Sequence, residues 1–292
     1  MLKKFVYEKG DYAMELENEN TEYLYHYTSV DSLALILKNK TIRLNPLDKM
    51  DDLQEKKTKD IENFGKFFFV SSWTSEEQES IPMWKMYTSQ ISGVRIKLPK
   101  NPFKKNQTCG ADIEKAIGIK AVDEDSRKYV HNTFLNLAEL MKLGVFSQQA
   151  WNGDILHEVV YTDDLSLLEP QTLTVSNEGT TISFDKLGRY KNKHWSFQKE
   201  WRYLMSFIPM NFMRPVEEMS KDFTRTAIRI INGVEQLPFS SFDLTIDEHC
   251  FTEMEITPSP HMSMGYRVLL EDLVEKYNPS AQIIESSLKG LI

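Results

Sequence analysis

Short runs rich in β-branched and aromatic residues constrain the fold of this chain more than any other feature. They are YLYHY (23–27), TIRLN (41–45), KFFFVSSW (66–73), GVRIKL (93–98) and WRYLMSF (201–207), and each predicts a short β-strand. Between the first two, apolar residues recur at positions 30, 33, 34 and 37, which predicts a helix with Thr28 or Ser29 as its cap. Short strands mixed irregularly with helices predict an α+β fold.

Further patterns extend this prediction along the chain. Residues 155–162 and 226–231 predict strands, residues 123–142 predict a helix, and the tail from residue 250 predicts strand, loop, helix and strand. Thr74 and Glu77 have the spacing of a capping box, and Pro82 predicts the start of a short helix. We expect one domain, residues 1–292, with a helix-rich insertion at about residues 104–152.

Composition and charge narrow the class of protein. The 292 residues are 41% hydrophobic and 27% charged, as in soluble globular proteins, and the net charge is −8. This charge argues against binding duplex nucleic acid through the overall charge of the chain. Cys109 and Cys250 form no CxxC pair, and the N-terminus lacks the apolar run of a signal peptide. We therefore expect a cytoplasmic protein with reduced thiols and no membrane association.

The segment QKEWR places an amide, a carboxylate and a guanidinium close together. If Glu200 opens a strand, then Gln198, Glu200 and Arg202 share one face, and the alternate side chains face a core. Such a row of polar groups suits a catalytic or binding site. The alternative is an edge-strand Glu/Arg pair that contributes little to stability.

The acidic segment MDDLQE carries Asp51, Asp52 and Glu55 shortly after Asp48. With Glu200, these carboxylates would suit a magnesium-dependent nuclease; the alternative is a solvated surface segment. The six histidines have no zinc-hydrolase spacing, and the sequence contains no P-loop or G-x-G-x-x-G motif. Zinc hydrolases and Walker or Rossmann nucleotide sites therefore lack support.

The segment MWKMY places Met83, Trp84 and Tyr87 at helical spacing. A stripe of this kind is either part of a core or a platform on which a planar ring stacks. The spacing alone does not separate these alternatives.

Taken in order, these segments resemble the ADP-ribosyltransferase superfamily. Similar to the N-terminal part of the transferase fold are YLYHY, SVDSLALILKNK and TIRL. Similar to its tyrosine-bearing part are GKFFFVSSW and MWKMY before GVRIKL, and FQKEW is similar to its glutamate-bearing strand. A closer likeness, over residues 23–207, is to a bacterial family of uncharacterised proteins with HYT, NDxxE-like, WxxY and EKEWR-like motifs. The resemblance implies split β-sheets flanked by helices.

The resemblance assigns NAD-binding roles. His26, with its neighbours Tyr27 and Thr28, would contact the nicotinamide-side ribose of NAD. Tyr87 would stack on the nicotinamide ring, with Trp84 as the rival candidate. Thr28 stands where related enzymes carry a small residue, which would alter how NAD enters.

The resemblance also assigns catalytic roles. Glu200 would contact a ribose hydroxyl and stabilise positive charge at the anomeric carbon, and Gln198 would orient the acceptor. Burial among Trp195, Trp201 and Tyr203 would strengthen the field of the carboxylate.

Two further pairs of residues remain open as NAD contacts. Arg43 and Arg202 are candidates for the pyrophosphate by their chemistry. VSSW partly matches the serine motif of another transferase subgroup, so Ser71 or Ser72 is also a candidate.

These residues favour an NAD-dependent ADP-ribosyltransferase, a possible bacterial toxin or phage-defence effector. NAD would be a substrate, no metal would be needed, and the acceptor would be an unknown protein or nucleic acid. The alternatives are a catalytically inactive binding or sensor module on the same fold, and the nuclease. The transferase hypothesis requires His26, Tyr87 and Glu200 to converge on one cleft.

Overall fold

The computed structural model describes residues 22–118, 120, 123–149, 154–177, 179–210 and 216–292. The strands are β1 (Tyr23–Ser29), β2 (Thr41–Pro46), β3 (Phe68–Thr74), β4 (Gly93–Pro99), β5 (Asn106–Cys109), β6 (Val130–Thr133), β7 (Val145–Phe146), β8 (Leu156–Glu158), β9 (Val160–Thr162), β10 (Leu173–Ser176), β11 (Gly179–Ile182), β12 (Tyr190–Asn192), β13 (Glu200–Ser206), β14 (Ile208–Pro209), β15 (Phe242–Thr245), β16 (Glu255–Pro258) and β17 (Gln282–Ile283).

The α-helices are α1 (Val30–Asn39), α2 (Ile81–Tyr87), α3 (Gly110–Ile117), α4 (Glu124–Lys128), α5 (Leu137–Lys142), α6 (Leu165–Leu168), α7 (Val216–Ile231), α8 (Glu248–Thr252) and α9 (Met264–Tyr277). Short 3-10 helices cover Leu47–Lys49, Phe64–Phe67 and Lys193–Gln198. In the described part of the chain, no helix combines the length and apolar character needed to cross a membrane.

One large mixed sheet organises the molecule. Its strands follow the order β15-β2-β3-β1-β4-β16-β17, with β13 paired to β3 and β8 paired to β13. Its strand pairs are antiparallel except β16 with β17. The sheet and the helices around it confirm the α+β prediction.

The sheet is split beside β3. β13 pairs with β3 along its whole length, from Glu200 opposite Thr74 to Ser206 opposite Phe68. The other edge of β3 is shared: β1 meets it at Thr74, and β2 meets it at Val70 and Phe69. Because β1 and β2 touch β3 at different heights and diverge, a gap opens between them over the middle of β3.

Two hydrophobic cores hold β3 and β13 from opposite faces, as alternation along a strand requires. Phe69 and Trp73 belong to the main core, which also contains the buried faces of α1 and α9. Phe68 and Val70 belong to a second core with Leu204 of β13. Strands buried on both faces are stiff supports for groups at their ends.

Two predicted elements are wrong. Residues 123–142 are not one helix, because β6 separates α4 from α5 and pairs with β5, and Asn136 caps a new helix. Residues 226–231 are the end of α7 and not a strand; they belong to an amphipathic helix in which Ile230 is buried and Ile228 is exposed. Predicted strand 155–162 is divided into β8 and β9.

The predicted helix caps give a mixed outcome. Ser29 caps α1 by accepting a hydrogen bond from the Ser32 amide. The capping box at Thr74 is wrong, because Thr74 ends β3 and Ser80 caps α2 instead. Pro82 lies in the first turn of α2, as predicted.

The predicted insertion shares the main core. Its described residues carry α3, α4, α5 and the β5–β6 pair, and residues 150–152 lie outside the described residues. Leu135, Leu137 and Leu140 pack in the same core as Trp201 and Tyr203. This segment therefore contains strands as well as helices, and its apolar side chains are continuous with the main core.

Candidate active site in the split of the sheet

A cleft with a volume of about 390 Å³ fills the gap between β1 and β2. Its lining includes His26 and Thr28 of β1, Arg43 of β2, Tyr87 of α2 and Glu200 of β13. The three residues that the transferase hypothesis requires to meet, His26, Tyr87 and Glu200, therefore line one cavity. Its volume is within the range of small-molecule sites, about 300–1,000 Å³.

Glu200 is held by a buried cluster of four charges. Its Oε1 accepts a hydrogen bond from Arg202 Nε at 2.6 Å, and its Oε2 accepts one from Lys191 Nζ at 3.1 Å. Glu55 bridges the same two cations, at 2.8 Å from Arg202 Nη2 and 3.1 Å from Lys191 Nζ. The two carboxylates and two cations balance, which is the condition for burying charge.

Gly188 completes the environment of Arg202. The Gly188 carbonyl accepts a hydrogen bond from Arg202 Nη1 at 3.2 Å. Gly188 has a φ of +84°, and a Cβ there would lie 2.8 Å from Leu204 Cδ1. The positive φ therefore favours glycine, and a Cβ at this position would displace the buried Leu204 side chain. Each guanidinium nitrogen of Arg202 is then bound to protein.

The cluster keeps Glu200 ionised. Burial opposes ionisation of its carboxyl, but Arg202 and Lys191 beside it lower its pKa to about 2. Glu200 is only 3% exposed, and the charges around it are fixed by its strand position. The cleft therefore presents a carboxylate anion throughout the physiological pH range.

Acid should destabilise the fold through this carboxylate. Because the folded-state pKa of Glu200, about 2, lies below its ordinary value of 4.5, its contribution to stability is complete above pH 4.5. The contribution is lost as the pH falls from 4.5 towards 2, since the unfolded chain binds the proton first. The free energy of unfolding, measured with denaturant, should fall more steeply from pH 7 to pH 3 for the wild type than for Glu200→Gln. Parallel curves would contradict this assignment.

A chain of hydrogen bonds runs from the cluster to the mouth of the cleft. Lys191 Nζ donates to Gln198 Oε1 at 2.8 Å, and Gln198 Nε2 donates to the Tyr87 hydroxyl. Tyr87 in turn donates to Asp51 Oδ2 at 3.2 Å. Burial, with Asp51 and Glu200 nearby, raises the pKa of Tyr87, so it remains a phenol. Gln198 therefore fixes the Tyr87 ring.

Helix α2 presents Tyr87 to the cleft and Trp84 to the interior. Met83 and Tyr87, four residues apart, line the cavity on one face of the helix. Trp84 is 3% exposed, packs edge-on against Tyr27 with ring centroids 4.9 Å apart, and donates to Glu79. The prediction that Trp84 could replace Tyr87 as the ring-stacking residue is therefore wrong; Trp84 anchors α2.

His26 occupies the fork of the split sheet. Its Nδ1 lies 2.8 Å from the Ser72 carbonyl oxygen, and its ring lies against Trp73 with centroids 5.0 Å apart. A carbonyl only accepts, so Nδ1 carries the proton. Burial lowers the pKa of His26 although the Ser72 carbonyl opposes this shift. The ring is therefore neutral near pH 7, and its Nε2 is an acceptor.

Other predicted NAD contacts have different fates. The cavity is bordered by Thr28, Ser71 and Tyr27, which are at most 8% exposed. The hydroxyl groups of two of them are hydrogen-bonded within the protein. Ser71 accepts from Trp73 Nε1, and the Tyr27 hydroxyl accepts from the Ser80 amide.

Four sequence-based interpretations of the QKEWR segment are corrected. The Glu200–Arg202 pair is not on an edge, because β13 has neighbours on both sides. Arg202 is 1% exposed and its nitrogens are engaged, so it is not available to a pyrophosphate. Gln198 ends a 3-10 helix outside the strand, and its amide is hydrogen-bonded to Lys191 and Tyr87, so it does not orient an acceptor. Trp201 and Tyr203 face the main core, away from the Glu200 carboxylate.

Sequence reasoning missed Lys191 and misread Glu55. Lys191 lies in a lysine-rich segment, and nothing in the pattern separates it from its solvated neighbours. Glu55 was interpreted as a metal ligand or as part of a solvated face, but it is 4% exposed inside the cluster. No pattern in the sequence indicates either residue, because the charges of Glu200 and Arg202 already balance and predict no further partner.

The carboxylates of the nuclease hypothesis are bound to protein partners. Asp51 is exposed at the rim, Asp52 Oδ1 accepts from the Gln54 amide, and Glu55 and Glu200 are bridged by cations. Within the described ranges, no group of three or more His, Cys, Asp or Glu side chains is placed to hold a metal ion. This arrangement gives the nuclease hypothesis no support.

One comparison with known proteins yields a match. Residues 83–203 match a family model described as "Protein of unknown function (DUF2971)". The matched segment contains Tyr87, Lys191, Gln198, Glu200 and Arg202, and it begins after His26 and Glu55. No curated protein and no solved structure matches the chain.

Proposed function

We propose that the chain is an NAD-dependent ADP-ribosyltransferase whose active site is the cleft between β1 and β2. The observation that carries the proposal is the meeting of His26, Tyr87 and Glu200 at one cavity, although they lie far apart in sequence. The nicotinamide riboside part of NAD would lie in this cavity, with the rest of the dinucleotide leading out past Arg43.

The order of the strands supports the same proposal. The strand with His26, the strand with VSSW and the strand with Glu200 are neighbours, β1-β3-β13. These are the three segments that look like the site-bearing strands of the transferases, and the gap between β1 and β2 is a split of the kind the resemblance implies. The transferase-like split-sheet fold is part of this proposal.

The chemistry of the cleft suits cleavage of a glycosidic bond. The bond between the anomeric carbon and the nicotinamide nitrogen breaks, and its electron pair leaves with neutral nicotinamide. The fixed Glu200 carboxylate stabilises the positive charge that develops on the ribose. A lone pair of the acceptor then forms the new bond to the anomeric carbon, and the acceptor loses a proton to solvent.

His26 and Tyr87 would bind the reacting part of the substrate. Neutral His26 would accept a hydrogen bond from a ribose hydroxyl at Nε2, because its Nδ1 proton is committed to Ser72. Tyr87, held by Gln198 and Asp51, would present its ring to the nicotinamide. A ring fixed in advance loses little entropy on binding.

A second candidate function rests on one observation: both oxygens of Glu200 are already bound, by Arg202 and by Lys191. Two cations at these distances weaken the field that a carboxylate exerts on an oxocarbenium ion. On this reading the chain is a catalytically inactive module that binds NAD or a related ligand on the same fold.

Labelled NAD separates the two functions. The purified protein is incubated with NAD labelled in the adenylate part, alone and with host lysate, and nicotinamide release and label transfer are measured. The transferase predicts both. Binding of NAD without release of nicotinamide would support the inactive module, and neither binding nor release would overturn both proposals.

A further inference from the structure

The cations of the cleft differ in whether a ligand can reach them. Among the described residues that line it, the cationic side chains are Arg43, Lys191 and Arg202, and each is paired with a carboxylate. Lys191 and Arg202 are 4% and 1% exposed, and their partners are equally buried. Arg43 is 51% exposed and its partner Asp243 is 35% exposed. Of these three, Arg43 is the cation that can change partners.

The Arg43–Asp243 pair is set by strand register. Asp243 of β15 lies directly opposite Arg43 of β2 in the antiparallel pair. Arg43 Nε donates to Asp243 Oδ1 at 2.8 Å, and Nη2 donates to Oδ2 at 2.9 Å. Thr41 and Asn45, on the same face of β2, also border the cavity. The pair therefore forms part of the β2 wall of the cleft, opposite His26 on β1.

We infer that Asp243 is a specificity-determining residue, which occupies the Arg43 guanidinium in the free protein and gives it up to a ligand diphosphate. This inference rests on the proposed function, from which the diphosphate-bearing ligand is taken. The planar fork of Arg43 that binds the Asp243 carboxylate in two places binds phosphate oxygens equally well.

The exchange is feasible because the pair is exposed. An exposed ion pair contributes little net stability, so a ligand can replace it at small cost. Asp243 nevertheless acts against a phosphate in two ways: it holds the guanidinium, and it places a like charge next to the incoming ligand. Asp243 thereby selects against phosphate-bearing ligands that make too few other contacts in the cleft.

Equilibrium binding of ADP-ribose and of nicotinamide riboside tests this inference. Asp243→Asn should tighten ADP-ribose binding by about three- to tenfold and change nicotinamide riboside binding less than about twofold. Arg43→Gln should weaken ADP-ribose binding by a similar factor, and in that background Asp243→Asn should have a smaller effect. Higher salt should reduce these differences.

Glu248→Gln is the matched control. It removes the same charge from another exposed pair, with Lys40 at 2.7 Å, which is not part of the cleft lining. It should leave both affinities unchanged. If Asp243→Asn leaves ADP-ribose affinity unchanged or lowers it, or if neither the wild type nor this variant binds ADP-ribose, the inference is overturned. Absence of nicotinamide release with a tighter Asp243→Asn complex would instead overturn only the transferase function.

Discussion

Glu200→Gln should abolish nicotinamide release from NAD, with a loss of about 100- to 1,000-fold or more relative to the wild type. The substitution keeps the size of the side chain and removes the charge that the proposed transferase transition state needs. The loss should appear in kcat more than in KM, because a positive charge on the ribose develops only in the transition state. Steady-state release of nicotinamide at saturating NAD measures it.

Glu55→Gln is the control for this result. It removes one negative charge from the same cluster, but Glu55 does not line the cleft. Both variants leave Lys191 and Arg202 with one carboxylate between them, so both should lose comparable stability. Glu55→Gln should retain activity within about tenfold of the wild type. Equal activity losses in the two variants would show that Glu200 acts only through the integrity of the cluster.

Glu200→Ala is a less specific variant than Glu200→Gln. The sequence alone suggests that the alanine variant would leave the fold intact. In the structure, removal of the whole side chain leaves two buried cations facing one carboxylate, next to a cavity. Loss of activity in that variant would therefore not separate catalysis from unfolding.

Arg202→Met should lower the free energy of unfolding by about 3–5 kcal/mol. The substitution removes the side chain that binds Glu200, Glu55 and the Gly188 carbonyl, and two carboxylates then share Lys191. An uncompensated charge in a buried site is far more costly than the loss of a surface pair. Equilibrium unfolding in urea at pH 7 measures the change.

Two further variants test whether the loss of stability in Arg202→Met comes from the unbalanced buried charge. Arg225→Met removes an arginine that is 67% exposed and paired with the half-buried Asp222, and should change stability by less than about 1 kcal/mol. Adding Glu55→Gln to Arg202→Met restores the balance of one cation and one carboxylate, and should recover part of the stability. A double variant no more stable than Arg202→Met would contradict the charge-balance argument.

The sequence was sufficient for the elements that depend on local patterns. The strands that carry His26, VSSW and Glu200 were each predicted, because alternation and β-branched or aromatic content are properties of the segments themselves. The helix predicted at 123–142 failed because β6 exists only through its pairing with β5, a contact that no local pattern encodes.

Some members of the candidate site were predictable from the sequence, but the pairing of its charges was not. Tyr87 and Glu200 were identified by motif, and they line the cleft as the transferase hypothesis requires. The sequence does not indicate which charged side chains pair. Arg202 and Gln198 were predicted to contact the substrates, but both bind protein partners, and Lys191 was missed. Such pairings join residues that are separated by up to 147 positions, as between Glu55 and Arg202, and only the folded sheet brings them together.

A crystal structure with a non-cleavable NAD analogue tests the central claim most directly. We expect the nicotinamide ring between β1 and β2 against Tyr87, a ribose hydroxyl within hydrogen-bond distance of His26 Nε2, and the anomeric carbon facing the Glu200 carboxylate. The diphosphate should lie at Arg43. An analogue bound outside the split, or one whose ribose lies away from Glu200, would contradict the assignment of this cleft as an NAD site.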